Sequence, residues 1–532
     1  MNSIAWPSTT SEDLQAWRPH HHYTPTKNWM NDPNGLFYLD GLYHLYYQYN
    51  PTGSQWGNMS WGHATSPDLV TWTEHEVVIA ATPERMVFSG TVVVDHDNVS
   101  GFAPTRNTLP TILAFYTAFS TATNIQCQHL AYSLDGGYHF TDYPGNPVLD
   151  IQSTEFRDPK VFWHAPIGHW VMLVVAALQQ QVWFYTSRNL LDWKKVSSFG
   201  PWGSADGNIW EVPDLFELPV DGDLFTTRWV LIVSVNRGSL RGGSGVQYFT
   251  GHFDGQQFTA DDTGLTPALP DNSESPHDMS QVTLWADHGR DFYAPITFVN
   301  MPDDRRVWMG WMNNWDYAAQ VPTEVWRGQM SAPRQLDLVT TTKGFRLRQR
   351  PARELKALRR CEPILLETTG PVQALRTLLA QTPLGGHQLH ISMQFASNAF
   401  QGEFGLQVFA GAGANVMLGF DASSQSFFVD RRSSESQLSA GQERHTGKRV
   451  SISPEITLDI WIDGCVLELF GDDGTVVISD LIFMPKNFRG IQVLGEACNP
   501  ACVSLKVRAV TKAHRSFQQG RASLNKGQCS WC

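Results

Sequence analysis

Cysteine is scarce in this chain. There are 7 among 532 residues, an odd number spread thinly, which excludes a disulfide-stapled scaffold and makes reduced thiols the expectation. Four lie late, as Cys498-x3-Cys502 and Cys529-x2-Cys532. They can be read as two metal-ligand pairs, but zinc knuckles are tighter and turn-borne, so free or tail-paired thiols are expected and no metal is assigned. Long apolar runs are also missing: no stretch approaches the ~20 apolar residues that cross a bilayer. The first residues, 1–17, lack a basic region followed by an apolar one, so the chain as it stands reads as cytoplasmic. A secreted protein whose leader had been removed would look the same, and the sequons Asn58-Met59-Ser60 and Asn98-Val99-Ser100 keep that reading open. Basic charge is in the minority, with 39 Lys and Arg against 51 Asp and Glu and no Lys/Arg block. That argues against nucleic acid or an anionic membrane as the main partner. A neutral small molecule or oligosaccharide fits better.

Aromatic side chains are plentiful, with 20 Trp, 29 Phe and 14 Tyr, many beside Gly, Asn and Asp. The pattern suits a β-rich protein whose aromatics partly face a ligand, although ordinary core burial is the competing explanation for any single ring. At this length two domains are expected. Residues 1–340 read as many short strands separated by Gly, Pro, Asn and Asp, so the class is all-β. A segment of the form Ser-x-Asp-Leu-x-x-Trp occupies 66–72, and looser copies occupy 133–140, 187–193 and 253–258, with Asp68, Asp135, Asn189 and Asp254 in corresponding places. A second series interleaves with it: Asn31-Asp32-Pro33, Phe88-Ser89-Gly90, Arg157-Asp158-Pro159, Glu211-Val212-Pro213-Asp214 and Asp291-Phe292-Tyr293-Ala294. Five such segments, each opening an apolar strand, predict a five-bladed β-propeller; a large sandwich with chance similarity is the alternative. Residues 341–360, rich in Lys, Arg and Leu, read as a linker. Strand-period segments at 390–395, 404–409, 458–462 and 466–470, with Asp463-Gly464 as a hairpin turn, predict a C-terminal β-sandwich over 361–512. Residues 513–532 read as a polar tail.

Glycoside cleavage with retention needs two carboxyl groups ~5–5.5 Å apart, one a nucleophile and one an acid and then a base. A propeller can supply them, because the inner strands of its blades converge on one axis. Asp32, Asp158 and Glu211 all lie in the second series beside a Pro. Singly, an Asp before Pro is most often a turn residue; three in register point to a site.

The segment Trp29-Met30-Asn31-Asp32-Pro33-Asn34-Gly35 resembles the signature of glycoside hydrolase family 32. So do Phe88-Ser89-Gly90, Phe156-Arg157-Asp158-Pro159, Trp210-Glu211-Val212-Pro213-Asp214 and Trp311-Met312-Asn313-Asn314-Trp315. The resemblance runs across nearly the whole chain. It implies a five-bladed propeller followed by a β-sandwich, and an invertase- or exo-inulinase-type β-fructofuranosidase acting on sucrose or the ends of fructans. On the matching positions Asp32 would be the nucleophile, Glu211 the acid/base, and Asp158 the group that stabilises the transition state. Asn31, Gln48, Trp56, Phe88, Ser89, Arg157 and Trp315 would line the fructosyl subsite. Arg157 could equally be a structural ion-pair partner. No cofactor is implied. Val212 departs from the family, which usually carries Cys there, and the intact Asn-Asp-Pro looks like the exo-acting members. A fructosyltransferase sharing every catalytic residue, and a non-catalytic sugar-binding propeller, are the competing readings. Whether the chain forms a homodimer, and what the sandwich does, stay open.

Overall fold

The computed structural model of the chain describes residues 17–104, 109–205, 208–262, 283–358, 364–384, 388–410, 413–434, 443–484, 488–496, 502–510 and 516–517. Of the late cysteines only Cys502 lies among them, exposed and free; Cys498, Cys529 and Cys532 fall outside the described residues.

Five antiparallel blades come first. The first runs through Asn28–Leu39, Leu42–Asn50, Ser60–Ser66 and Thr73–Glu74, and the second through Arg85–Asp95, Thr111–Ser120, Gln126–Ser133 and Thr141–Asp142. The third comprises Phe156–His164, His169–Ala176, Gln181–Ser187 and Lys194–Phe199. Trp210–Val220, Asp223–Val235, Gly245–Phe253 and Phe258–Ala260 build the fourth, and Tyr293–Thr297, Arg306–Trp311, Arg334–Thr341 and Gly344–Pro351 the fifth. The first strand of each blade touches the first strand of the next, and the fifth returns to the first, so the five line one axis. Closure is sealed by parallel pairing of Asn28 with Trp326 and Trp29 with Arg327. Inner strands are buried almost end to end, whereas the outer strand Lys194–Phe199 faces water along most of its length. A closed ring of this kind leaves only short outer edges.

The first sequence series has a local cause. In four blades its acidic or amide side chain closes the loop between the third and fourth strands by accepting two backbone N–H groups. Asp68 Oδ1 accepts from Val70 (2.9 Å) and Thr71 (2.6 Å); Asp135 Oδ1 accepts from Tyr138 and His139 (both 3.1 Å). Asn189 Oδ1 takes Leu191 and Asp192 at 3.1 and 3.0 Å, and Asp254 Oδ1 takes Gln256 and Gln257 at 2.8 and 2.7 Å. These are Asx turns, so that repeat is architectural.

Within the stretch 341–360, Gly344–Pro351 pairs along the whole of Arg334–Thr341 as the outer strand of the fifth blade. The basic residues that look like a connector have a partner there: Arg348 and Arg350 both reach Asp337, at 2.7 and 2.6 Å. The helix Arg353–Leu358 then leads to two facing sheets, one of six strands between Ile364–Pro371 and Val476–Leu481, the other of five containing Glu403–Ala410. Their alternating residues, among them Ile391, Leu406, Leu418, Ile460 and Leu469, form a shared core. The fold is thus all-β, a five-bladed propeller followed by a β-sandwich.

The two parts meet through buried charge. Asp463, expected only as a turn residue, also accepts the backbone N–H groups of His20, His21 and His22 at 2.6, 2.8 and 3.1 Å. The His22 ring lies between Asp463 (2.7 Å) and Glu468 (2.9 Å), and Arg334 joins Glu468 to Asp287. Burial alone would push His22 down, but hydrogen bonds to the two carboxylates outweigh it and raise its pKa to about 9.

Candidate active site

Every inner strand carries a break in register at the same level. It falls between Met30 and Pro33, Val87 and Gly90, Arg157 and Lys160, Glu211 and Asp214, and Tyr293 and Ile296. An extra residue in one strand re-aims side chains and frees a backbone position from the ladder, which is why Pro33, Pro159, Pro213 and Pro295 are tolerated inside inner strands. In the second blade Gly90 holds that place; a Cβ there would sit 2.0 Å from the Phe115 carbonyl oxygen. Asp158, Val212 and Ala294 precede the prolines with φ of 65°, 45° and 50°. For the β-branched Val212 this is a strained conformation, costing about 1–3 kcal/mol.

The bulges bring Asp32, Ser89, Arg157, Asp158, Glu211 and Tyr293 together. Asp32 is nearly buried, 7% exposed, and is held by the Ser89 hydroxyl (2.6 Å to Oδ2) and the Asn31 amide (3.1 Å to Oδ1). Trp29 Nε1 in turn fixes Asn31 by donating to its Oδ1 at 2.8 Å. Burial pushes Asp32 up to about 6; the Ser89 hydrogen bond pulls the other way, and the charge of Glu211 adds to the rise.

Across the axis, Glu211 accepts from Arg157 Nε (3.2 Å) on Oε1 and from Asn236 Nδ2 (3.0 Å) on Oε2. The Tyr293 hydroxyl donates to the same Oε2. Arg157 also donates to Gln126 Oε1 at 3.1 Å and pairs with Glu155. Asp158 is held differently: its Oδ2 accepts the Val212 backbone N–H at 2.9 Å, while its own N–H donates to Thr117 Oγ1 at 2.8 Å. The strained φ of Val212 therefore aims a backbone donor at a carboxylate, which any side chain at that position could do. Burial lifts Asp158 to about 7 against the pull of Arg157, with the charges of Glu211 and Asp32 adding to it. One guanidinium thus serves Glu211, Asp158 and Glu155, while Asp32 relies on neutral donors.

Gln48 is buried beside the site, its Nε2 donating to the Val87 carbonyl at 3.1 Å. Trp315 stacks on Trp29 with ring centroids 6.0 Å apart, and its Nε1 is buried without a partner. Trp56 is 45% exposed and lies 6.0 Å from Phe88, which stacks on Phe119, so this pair forms an apolar rim. Every sequence-expected site residue therefore lies on or around one axial cluster. Tyr293, Gln126 and Glu155 were not expected as site residues from the sequence, and Asn236 only as the first residue of a loop, 236–245, that could contact an acceptor. Tyr293 had a readable signal: it stands two residues before the proline of its inner strand, as Asn31, Arg157 and Glu211 do in theirs. Among the described residues no group of three or more His, Cys, Asp and Glu side chains is arranged to hold a metal ion.

Chemically, the cluster offers one carboxylate cradled by neutral donors and a second held by a phenol, an amide and a guanidinium. Residues 22–351 match the model of the glycosyl hydrolases family 32 N-terminal domain, and residues 354–509 that of the family 32 C-terminal domain. The levanase of Bacillus subtilis is 39% identical over 504 residues, covering 93% of this chain and 71% of that one. An extracellular exo-inulinase of Aspergillus niger is 37% identical over 505 residues, covering 89% and 90%. Invertase 2 of Saccharomyces cerevisiae is 35% identical, covering 88% and 89%. Among solved structures, the exo-inulinase of Aspergillus awamori superposes with a TM-score of 0.81 at 31% identity, over 94% of this chain and 99% of that one. The β-fructofuranosidase of Schwanniomyces occidentalis, complexed with fructosyl-erythritol, gives 0.80 at 32% identity, over 94% and 99%.

Proposed function

This chain belongs to glycosyl hydrolase family 32, a β-fructofuranosidase by its relatives, and from that premise we propose that it is a retaining, exo-acting enzyme releasing single fructose units from sucrose or fructan ends. The observation that carries the reading is the pairing of Asp32, ordered by Ser89 and Asn31, with Glu211, ordered by Tyr293, Asn236 and Arg157, across one axis.

Asp32 Oδ attacks the anomeric C2 of a terminal fructose while Glu211 gives its proton to the glycosidic oxygen. That bond breaks, the leaving sugar departs, and a fructosyl ester on Asp32 remains. Glu211, now a carboxylate, takes a proton from water; the water oxygen bonds to C2, the ester bond breaks, and fructose leaves with its original configuration. Asp158 faces the fructose hydroxyls and the positive charge that develops at the ring. Val212 enters only through its backbone N–H. The deep burial of Asp32 and Asp158 suits a chain end more than a chain interior, and this favours exo action. Relatives named as levanase, exo-inulinase and invertase support β-fructosides with a terminal fructose as the substrate class. Catalysis falls to the propeller, whose strands run from Asn28 to Pro351, and support to the sandwich. Action outside the cell fits relatives named as extracellular and the exposure of both sequon asparagines, Asn58 and Asn98.

Product analysis over time tests this. Equal glucose and fructose from sucrose, or steady release of fructose alone from inulin, is expected; glucose exceeding fructose with new trisaccharide would move the reading to a transferase. Asp32→Asn and Glu211→Gln should each lose more than ~10³-fold of activity, and near-parental turnover by both would sink it.

A further inference from the structure

The inner strands that carry the carboxyl cluster at one end reach a second opening at the other. From Asp158 to Phe162 is four residues of strand, about 13 Å at ~3.3 Å per residue. There a cavity of 810 Å³ lies around the end of the third inner strand, lined by residues of four blades, including His164, Trp170, Glu217 and Arg306. The catalytic cluster contributes nothing to it.

Three polar atoms on its lining residues are buried and have no hydrogen-bond partner: His164 Nδ1, Trp170 Nε1 and Arg306 Nε. His164 is 4% exposed and Trp170 9%. Arg306 stands out further, because among the described residues its guanidinium has neither an ion pair nor a hydrogen bond. Asp214, Glu217 and the exposed Asp304 attract it from a distance without pairing, and Asp214 is occupied by Lys160 at 3.0 Å and by the Thr297 N–H and hydroxyl at 2.7 and 2.8 Å. What remains is the face of Phe216, 5.9 Å from the guanidinium carbon. Arg306 is half-buried with its Nε shielded from water; such a cation without an ion pair and orphaned buried donors are costly, and several sharing one cavity suit a polar ligand.

The surroundings select its class. Carboxylates of Asp97, Glu217 and Asp254 lie at the lining, and the chain carries a formal charge of −12, so an anion is disfavoured. A purely apolar ligand would leave the donors unsatisfied. Trp163, 48% exposed, lies edge to face with Trp170 at 5.4 Å and offers a flat apolar surface at the mouth. Hydroxyl groups that can accept from Arg306 and Trp170 and donate to carboxylates, on a ring whose C–H face can lie on Trp163, are the features of a sugar. We propose that this opening is a second, non-catalytic binding site for a neutral saccharide.

The full chain is titrated with fructose, which no hydrolysis consumes, following tryptophan fluorescence; the outcome is therefore separate from that of the catalytic assignment. Two phases are expected in the parent, one lost or weakened about tenfold or more in Arg306→Met and in Trp163→Ala, with sucrose turnover unchanged in both. Because Arg306→Met breaks no pair, it should melt at or above the parent temperature, and Trp163 sits at a half-exposed position; loss of a phase therefore cannot be ascribed to unfolding. A single phase in the parent, or a second phase that survives both substitutions, would overturn the proposal.

Discussion

Replacing Ser89 by Ala removes one hydroxyl from the floor of the site and should move the pH dependence of catalysis toward alkali. Ser89 Oγ donates to Asp32 Oδ2 at 2.6 Å with both residues buried, a bond made to the ionised carboxylate. Bonds to charged groups contribute about 1.5–3 kcal/mol, and one pH unit is about 1.4 kcal/mol. Losing this one should therefore raise Asp32 from about 6 by roughly one to two units. The nucleophile acts only when ionised, so kcat/KM falls as pH drops through that value, and the limb reports the free enzyme. Since Asp158 is lifted to about 7 in the same cluster, the limb belongs to the coupled carboxyls together. The assay is kcat/KM for sucrose across the acid and neutral range. Ser89→Ala should lose roughly ten- to a hundredfold on the acid side and recover much of it above neutrality, and Ser89→Thr should lie nearer the parent. An unmoved limb, or one displaced to lower pH, would refute the reasoning.

Two further perturbations follow from particular contacts. Tyr293→Phe removes the phenol that donates to Glu211 Oε2 while keeping the buried ring, so kcat should fall about ten- to a hundredfold with KM changing less; an unaltered kcat would show that the phenol does not order the acid/base group. His22 is raised from its ordinary 6.5 to about 9 between Asp463 and Glu468. Its contribution to stability is full below pH 6.5 and is lost as pH rises through about 9. His22→Gln, which leaves Asp463 without its cation and Glu468 with Arg334 alone, should cost about 3–5 kcal/mol and flatten the fall in melting temperature across that window. A variant as pH-sensitive as the parent would contradict the assignment.

The second sequence series was legible because the bulge is a covalent matter: Asp32, Asp158 and Glu211 stand beside prolines that an inner strand can hold only where its ladder is broken. The first series was equally visible, but its meaning was not, since an Asx turn and a ligand-facing Asp look alike until Asp68 and Asp254 are seen capping loops. Asn236 could be read only as the start of a loop, because its bond to Glu211 is made across the fold. Arg348 and Arg350 read as linker because the chain alone does not say that Asp337 lies opposite. Long-range pairings of this kind, His22 with Glu468 among them, come from topology and leave no local pattern.

The central claim is a covalent fructosyl ester on Asp32. Rapid acid quench of the Glu211→Gln variant during reaction with β-fructosyl fluoride, whose leaving group needs no proton while the ester still awaits the missing base, followed by peptide mass spectrometry, should find the mass of one anhydrofructose unit on the peptide containing Asp32, absent when Asp32 is also changed to Asn. Turnover that proceeds with no such adduct, or an adduct on any other side chain, would contradict the account.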